Sequence, residues 1–153
     1  MSELLYSGGE IEEQLRQYGS YASNTVGYSM KPLFSHKRDM VIISPPTEPP
    51  KKYDVVLYPK GDGNYILHRI VAVRPDCYII RGDNTYINER VPKENIIGVL
   101  TAYNRCGKSH KTTDLSYRLY SRLWCFIYPL RFLWHKLVEL LVKLKHKIFK
   151  KKQ

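Results

Sequence analysis

Between residues 39 and 102 the chain is written as short runs of β-branched and aromatic residues closed by turn formers. The runs are Asp39–Ile43, Tyr53–Tyr58, Tyr65–Val73, Cys77–Ile80 and Asn95–Ala102. Each has the length and composition of a strand. Lys60-Gly-Asp-Gly-Asn64 and Arg74-Pro-Asp76 read as turns, so 53–80 is expected to form a three-stranded meander. Pro45-Pro-Thr-Glu-Pro-Pro50 cannot join a ladder and reads as a stiff connection. Strands at this spacing imply a mostly antiparallel sheet, with a small barrel as one way to close it.

Helical signals lie on either side of these runs. Ser7-Gly-Gly-Glu10 has the form of a capping box, Ile11, Leu15 and Tyr18 share a helical face, and Gly19 is a natural stop. From Phe132 to Phe149, Leu133, Leu137, Leu140, Leu141, Leu144 and Ile148 recur at helical spacing, with Lys136, Glu139, Lys143, His146 and Lys150 on the opposite side. Pro129 should interrupt the segment, giving two helices of about 114–128 and 130–150. The expected fold class is therefore mainly β, with a short N-terminal helix and C-terminal amphipathic helices.

Charge divides the chain in nearly the same place. Residues 1–103 hold 12 basic and 12 acidic residues, whereas 104–153 hold 13 against 2, so the tail carries the whole formal excess of +11. This predicts a β-rich domain over 1–103 and a basic helical tail over 104–153. The three cysteines, Cys77, Cys106 and Cys125, have neither the number nor the spacing of a disulfide framework or a thiolate metal site. The opening Met1-Ser-Glu-Leu-Leu-Tyr6 lacks a basic and then apolar pattern, so no cleaved secretion signal is expected. A spanning helix needs about 18–20 apolar residues, and the best candidate, Leu123–Leu130, is bracketed by Arg122 and Arg131.

Four polar residues stand where chemistry could happen. Ser29 lies in Gly27-Tyr-Ser-Met-Lys-Pro32, where a glycine permits unusual torsions before the hydroxyl and a proline stiffens the exit. Read without its neighbours, it is equally a loop serine. His68 lies mid-strand, and alternation sets it on one face with Ile66 and Ile70 while Arg69 takes the other. Alone it reads as a core histidine, but a neutral imidazole is also the group that can take a seryl proton. Asp83, in Arg81-Gly-Asp-Asn84, suits a turn as well as a site. Glu89 is a second carboxylate six residues on, and either acid could orient the His68 ring.

Taken in order, these segments resemble the type I signal peptidase family of serine endopeptidases, over about residues 24–103. Tyr28-Ser-Met-Lys-Pro32 is similar to the family's nucleophile box, and Tyr53-Asp-Val-Val-Leu57 to its following strand. His68-Arg-Ile-Val71 is similar to its general-base box. Gly82-Asp-Asn84 followed by Val91-Pro92 and Ile96-Ile-Gly-Val99 is similar to its closing box. The resemblance implies a β-rich sheet-and-barrel fold and endoproteolysis without metal or organic cofactor. Histidine at the base position resembles the archaeal and endoplasmic-reticulum members, which implies Ser29 as nucleophile and His68 as base and then acid. Asp83 is implied as the third member, with Glu89 ranked second. The Ser29 backbone N–H is implied as an oxyanion donor, and Met30 and Pro32 as groove residues beside small substrate side chains.

Family members usually carry an N-terminal membrane anchor, and none is legible here. With the basic tail, this leads to the expectation of a cytoplasmic processing protease, peripheral at the inner membrane face. Its partners would be a peptide or precursor-protein substrate and an anionic lipid surface. Leu133, Trp134, Leu137, Leu141 and Leu144 would enter the headgroup boundary while lysines meet the lipid charge. Docking of the same stripe on the sheet is the plainer alternative, and nucleic acid is disfavoured. Rival functions are a catalytically inactive peptide- or membrane-binding relative and a repressor-type autoprotease.

Overall fold

The computed structural model describes residues 8–61 and 63–150, with side chains as far as 145. Ser7 of the expected capping box, Asp62 of the expected turn, and the side chains of His146, Ile148, Phe149 and Lys150 lie outside the described residues. Among the described residues the chain runs α1 (Gly8–Tyr18), β1 (Tyr21–Asn24), β2 (Met40–Ser44), β3 (Val55–Lys60), β4 (Asn64–Val73) and β5 (Cys77–Arg81). It continues through β6 (Glu89–Pro92), β7 (Gly98–Arg105), β8 (Lys108–Lys111), α2 (Leu115–Phe126) and α3 (Tyr128–Lys150).

The strands form a single antiparallel sheet in the order β1-β2-β7-β3-β4-β5-β6, with β8 paired to β7. The predicted meander is β3-β4-β5. Because β7 lies between β2 and β3, the chain leaving β2 must pass over one strand position, about 10 Å from β2 to β3. The proline-rich 45–50 segment makes that passage. Sheet and helix contribute nearly equal shares, about 34% and 32%, so the fold is not clearly mainly β. The sheet is also open rather than closed into a barrel. The excess of helix comes from the tail, where α2 and α3 are both long. The compositional boundary at 103/104 falls inside β7, and the β7–β8 hairpin carries the sheet on to Lys111. Charge changes there, but the backbone ladder does not.

Along β3, β4 and β5 both faces of the sheet are buried, and successive side chains alternate between them. One face gathers Ile11 and Leu15 of α1 with Val41, Ile43, Val55, Leu57, Leu67 and Leu100. The other gathers Val56, Tyr58, Ile66, Ile70, Tyr78, Ile80 and Val91. Tyr18, expected on the buried face of α1, is 69% exposed, because that helix ends at Gly19 with the Gly19 N–H bonded to the Leu15 carbonyl. The two cores matter for function because consecutive residues of β4 report to different ones.

The tail helices dock by faces that hydropathy does not mark. In α2, Tyr117, Tyr120, Ser121 and Trp124 turn inward at i, i+3, i+4, i+7, and Tyr117 and Ser121 are buried. In α3 the same spacing recurs: Tyr128, Phe132 and His135 pack on the Tyr86 ring, and Arg131 donates to the Asp83 carbonyl at 2.9 Å. The leucine stripe faces away. Leu133, Leu137, Leu140, Leu141 and Leu144 are all exposed, so the stripe does not dock on the sheet. Pro129 sits in the first turn of α3, where a missing N–H costs no helical bond. No helix among the described residues is long and apolar enough to cross a membrane.

Candidate active site

Ser29 is held by a loop stapled at its base. The loop joins β1 to β2, and Thr25 and Asp39 close its neck. The Thr25 N–H and hydroxyl both donate to the Asp39 carbonyl, and the Lys37 N–H donates to the Thr25 carbonyl. The Asp39 carboxylate accepts the Ser35 N–H at 2.8 Å and the Arg38 guanidinium at 2.7 Å. Burial pushes that carboxyl up, but the bonds from Arg38 and Ser35 outweigh it and hold it below its usual range. At the tip, Gly27 takes φ +94°, a torsion that glycine adopts at little cost, and its N–H donates to His36 Nδ1. Met30, Leu33 and Phe34 anchor the far side of the loop in the core.

The closing segment 82–84 grips the loop from the other side. The Asn84 N–H donates to the Ser29 carbonyl at 2.7 Å, and its side-chain amide donates to the Tyr28 carbonyl at 3.3 Å. Gly82 lies so close that a Cβ there would stand 2.7 Å from the Ser29 carbonyl oxygen and 2.9 Å from His68 Nε2. A glycine is therefore needed for the approach.

Ser29 Oγ lies 2.8 Å from His68 Nε2, with both residues buried. The other ring nitrogen, Nδ1, faces Glu89 Oε1 at 3.3 Å. Tyr58 closes the group, its hydroxyl donating to Glu89 Oε2 at 3.1 Å and lying 3.4 Å from Nδ1. The hydrogen bond with His68 holds the Glu89 carboxyl below its usual range. Burial, with Glu89 beside it, pushes the Tyr58 phenol well up, so it stays protonated and can donate.

The other carboxylate goes elsewhere. Asp83 meets Arg69 through two bonds of 2.7 Å, and both side chains are almost wholly buried. Sheet register explains the division. In an antiparallel ladder, directly opposed residues share a face. Ile70 opposes Ile80 and Ile80 opposes Glu89, so Glu89 lies on the face of Ile70 and therefore of His68. Arg69 opposes Arg81, and Asp83 follows Arg81 by two residues on that opposite face. Asp83, ranked first from the resemblance, thus sits on the side of the sheet away from His68.

Two groove residues also divide. Met30 is 1% exposed and fills the core beside Leu33 and Phe34, so it anchors the loop instead of lining a groove. Pro32 borders a cavity. Sequence reasoning missed Tyr58, although the predicted hairpin held the signal. In the β3–β4 register Tyr58 opposes Ile66, which places it on the face of His68 and diagonal to it.

The chain matches no family model, no curated protein and no solved structure. A hydroxyl bonded to an imidazole whose far nitrogen meets a carboxylate is an arrangement able to activate a nucleophile.

Proposed function

We propose that this protein is a serine endopeptidase of the signal-peptidase type, cleaving a precursor protein or leader peptide. One observation carries the reading: Ser29 Oγ lies 2.8 Å from His68 Nε2 while Glu89 meets the opposite ring nitrogen. The ordered motifs of the nucleophile, base and closing boxes support it from the sequence. In the proposed reaction Oγ attacks the scissile carbonyl as its proton passes to Nε2. The ring, now charged, is stabilised by Glu89. Negative charge on the former carbonyl oxygen falls to the Ser29 N–H, the proposed oxyanion donor. His68 then protonates the leaving amine, the C–N bond breaks, and an acyl-Ser29 ester remains. Water, deprotonated by the same imidazole, hydrolyses the ester and restores the hydroxyl.

The test is covalent labelling with a small alkyl fluorophosphonate, which forms a bond to an activated serine. Mass spectrometry should place the adduct on Ser29, and Ser29→Ala and His68→Ala should each abolish it. Labelling that persists in His68→Ala would defeat the assignment of the base.

The tail fits an anionic membrane surface as the second partner. Leu133, Leu137, Leu140, Leu141 and Leu144 form an exposed stripe on a helix that also carries Lys136, Lys143 and Lys145. Such a helix binds by apolar burial and by attraction to lipid charge. Co-sedimentation with phosphatidylglycerol vesicles, weakened by salt and by replacing Leu137 and Leu141 with serine, is the expected result.

A further inference from the structure

Beside the nucleophile loop lies a cavity of about 710 Å³ that the Ser–His–Glu group does not use. One wall is Lys31 and Pro32, which follow Ser29 in the loop, together with Asn84, whose N–H is bonded to the Ser29 carbonyl. Tyr86 also borders it, and the tail supplies the rest: Trp124 of α2 with Leu130, Arg131 and Trp134 of α3. The cavity therefore opens between the residues that hold the nucleophile and the two helices appended to the sheet.

Its tail wall is apolar because the polar ends of its residues are already engaged. The Trp124 indole N–H donates to the Asp83 carbonyl at 2.8 Å. Arg131 turns its guanidinium to the same carbonyl and stacks it 3.8 Å from the Trp124 ring. Trp124 also stacks with Tyr120, at 5.7 Å between centroids. Held so, Trp124 is a rigid aromatic surface. Leu130 and Trp134 complete the wall and remain 70% and 67% exposed. Large apolar side chains left in water lower their free energy when a ligand covers them.

We propose that this cavity receives a large apolar side chain of the peptide substrate, aromatic or leucine-like, within a few residues of the scissile bond. The inference rests on the endopeptidase reading and deepens it, by naming a substrate class and making α2–α3 a specificity element. The volume lies within the range of ligand pockets and leaves room for a large side chain. The occupant is a peptide because the cavity shares its loop wall with Ser29 and so with any chain positioned for attack there. Trp134 and Leu130 are the specificity residues.

The experiment uses the full chain and a library of internally quenched decapeptides in which each position is varied in turn. Cleaved peptides should share a large apolar residue at a fixed offset from the cut. For Trp134→Ala and Leu130→Ala the measured quantity is the ratio of kcat/KM between peptides with a large and a small residue at that position. That ratio should fall about tenfold in at least one variant, within the range apolar pockets discriminate. Poor folding lowers both rates equally and cannot move the ratio, so a ratio unmoved in both variants would overturn the proposal. So would cleavage with no fixed-offset preference. Loss of phosphatidylglycerol vesicle binding with an unchanged ratio would assign the wall to lipid and overturn it too. Absence of cleavage together with absence of Ser29 labelling would remove the endopeptidase reading, and this inference with it; labelling without preference removes the inference alone.

Discussion

His68 and Arg69 are neighbours on β4, yet they build two different kinds of ion-pair site. His68 faces Glu89 at 3.3 Å, and that carboxylate is 36% exposed. Arg69 faces Asp83 at 2.7 Å in almost complete burial, and adds bonds to Ser121 and to the Tyr53 carbonyl. The first pair is long, wet at one end and attached to a hydroxyl. The second is short, dry and saturated with donors. A group that must exchange a proton cannot be locked into a fully satisfied network, whereas a group that must hold two elements together gains from it. In the proposed reading, one strand thus presents chemistry to one face and a structural clamp to the other. The segment 82–84 joins them, since Gly82 touches the dyad, Asp83 carries the clamp and Asn84 grips Ser29.

The strongest way to break this comparison is to exchange the losses. His68→Ala should lower activity by about a thousandfold or more while costing less stability than the loss of Arg69. Arg69→Met should do the reverse first, destabilising the fold by about 3–5 kcal/mol because Asp83 is left buried and unpaired. Denaturant unfolding alongside peptide hydrolysis separates the two. A large stability loss in His68→Ala would show that the two residues do not divide the work.

Gly82→Ala tests the joint between the sites. Its Cβ must displace either the Ser29 carbonyl or the His68 ring, and a misplacement near 1 Å costs about a hundredfold in rate. Hydrolysis should fall by that order, with fluorophosphonate labelling slowed in parallel. Glu89→Gln should cost less, about tenfold to a hundredfold, because this acid is partly exposed and its contact with Nδ1 is long. An effect of Asp83→Asn on rate that exceeds that of Glu89→Gln at matched stability would reverse the assignment of the orienting acid.

The smallest expected effect is on acid stability. The folded Glu89 carboxyl titrates below its unfolded value, so its contribution is complete above the ordinary carboxylate range, about 4.3, and is lost as pH falls through the lower folded value. Wild-type protein should therefore lose somewhat more stability than Glu89→Gln below about pH 4. Equal acid sensitivity in thermal melts would show that the His68–Glu89 contact adds nothing to the fold.

Much of this protein was legible in the sequence because it is written in local pattern. The strand runs, the turns of the meander, the break near Pro129 and the candidates Ser29 and His68 each depend on a few neighbouring residues. Three short strands escaped notice. β1 and β6 have four residues each and little hydrophobic contrast, and β8, Lys-Ser-His-Lys, has no strand signature at all. Missing β6 hid the face on which Glu89 lies, so the competition between Asp83 and Glu89 could not be judged from their spacing. Hydropathy likewise marked the leucine stripe of the tail but not the aromatic and polar stripe that docks it. The sequence alone determined which segments become strands and helices and which groups could react. Only the tertiary structure decided which acid meets the imidazole and which helix face meets the sheet, because both follow from pairing residues that local pattern does not connect.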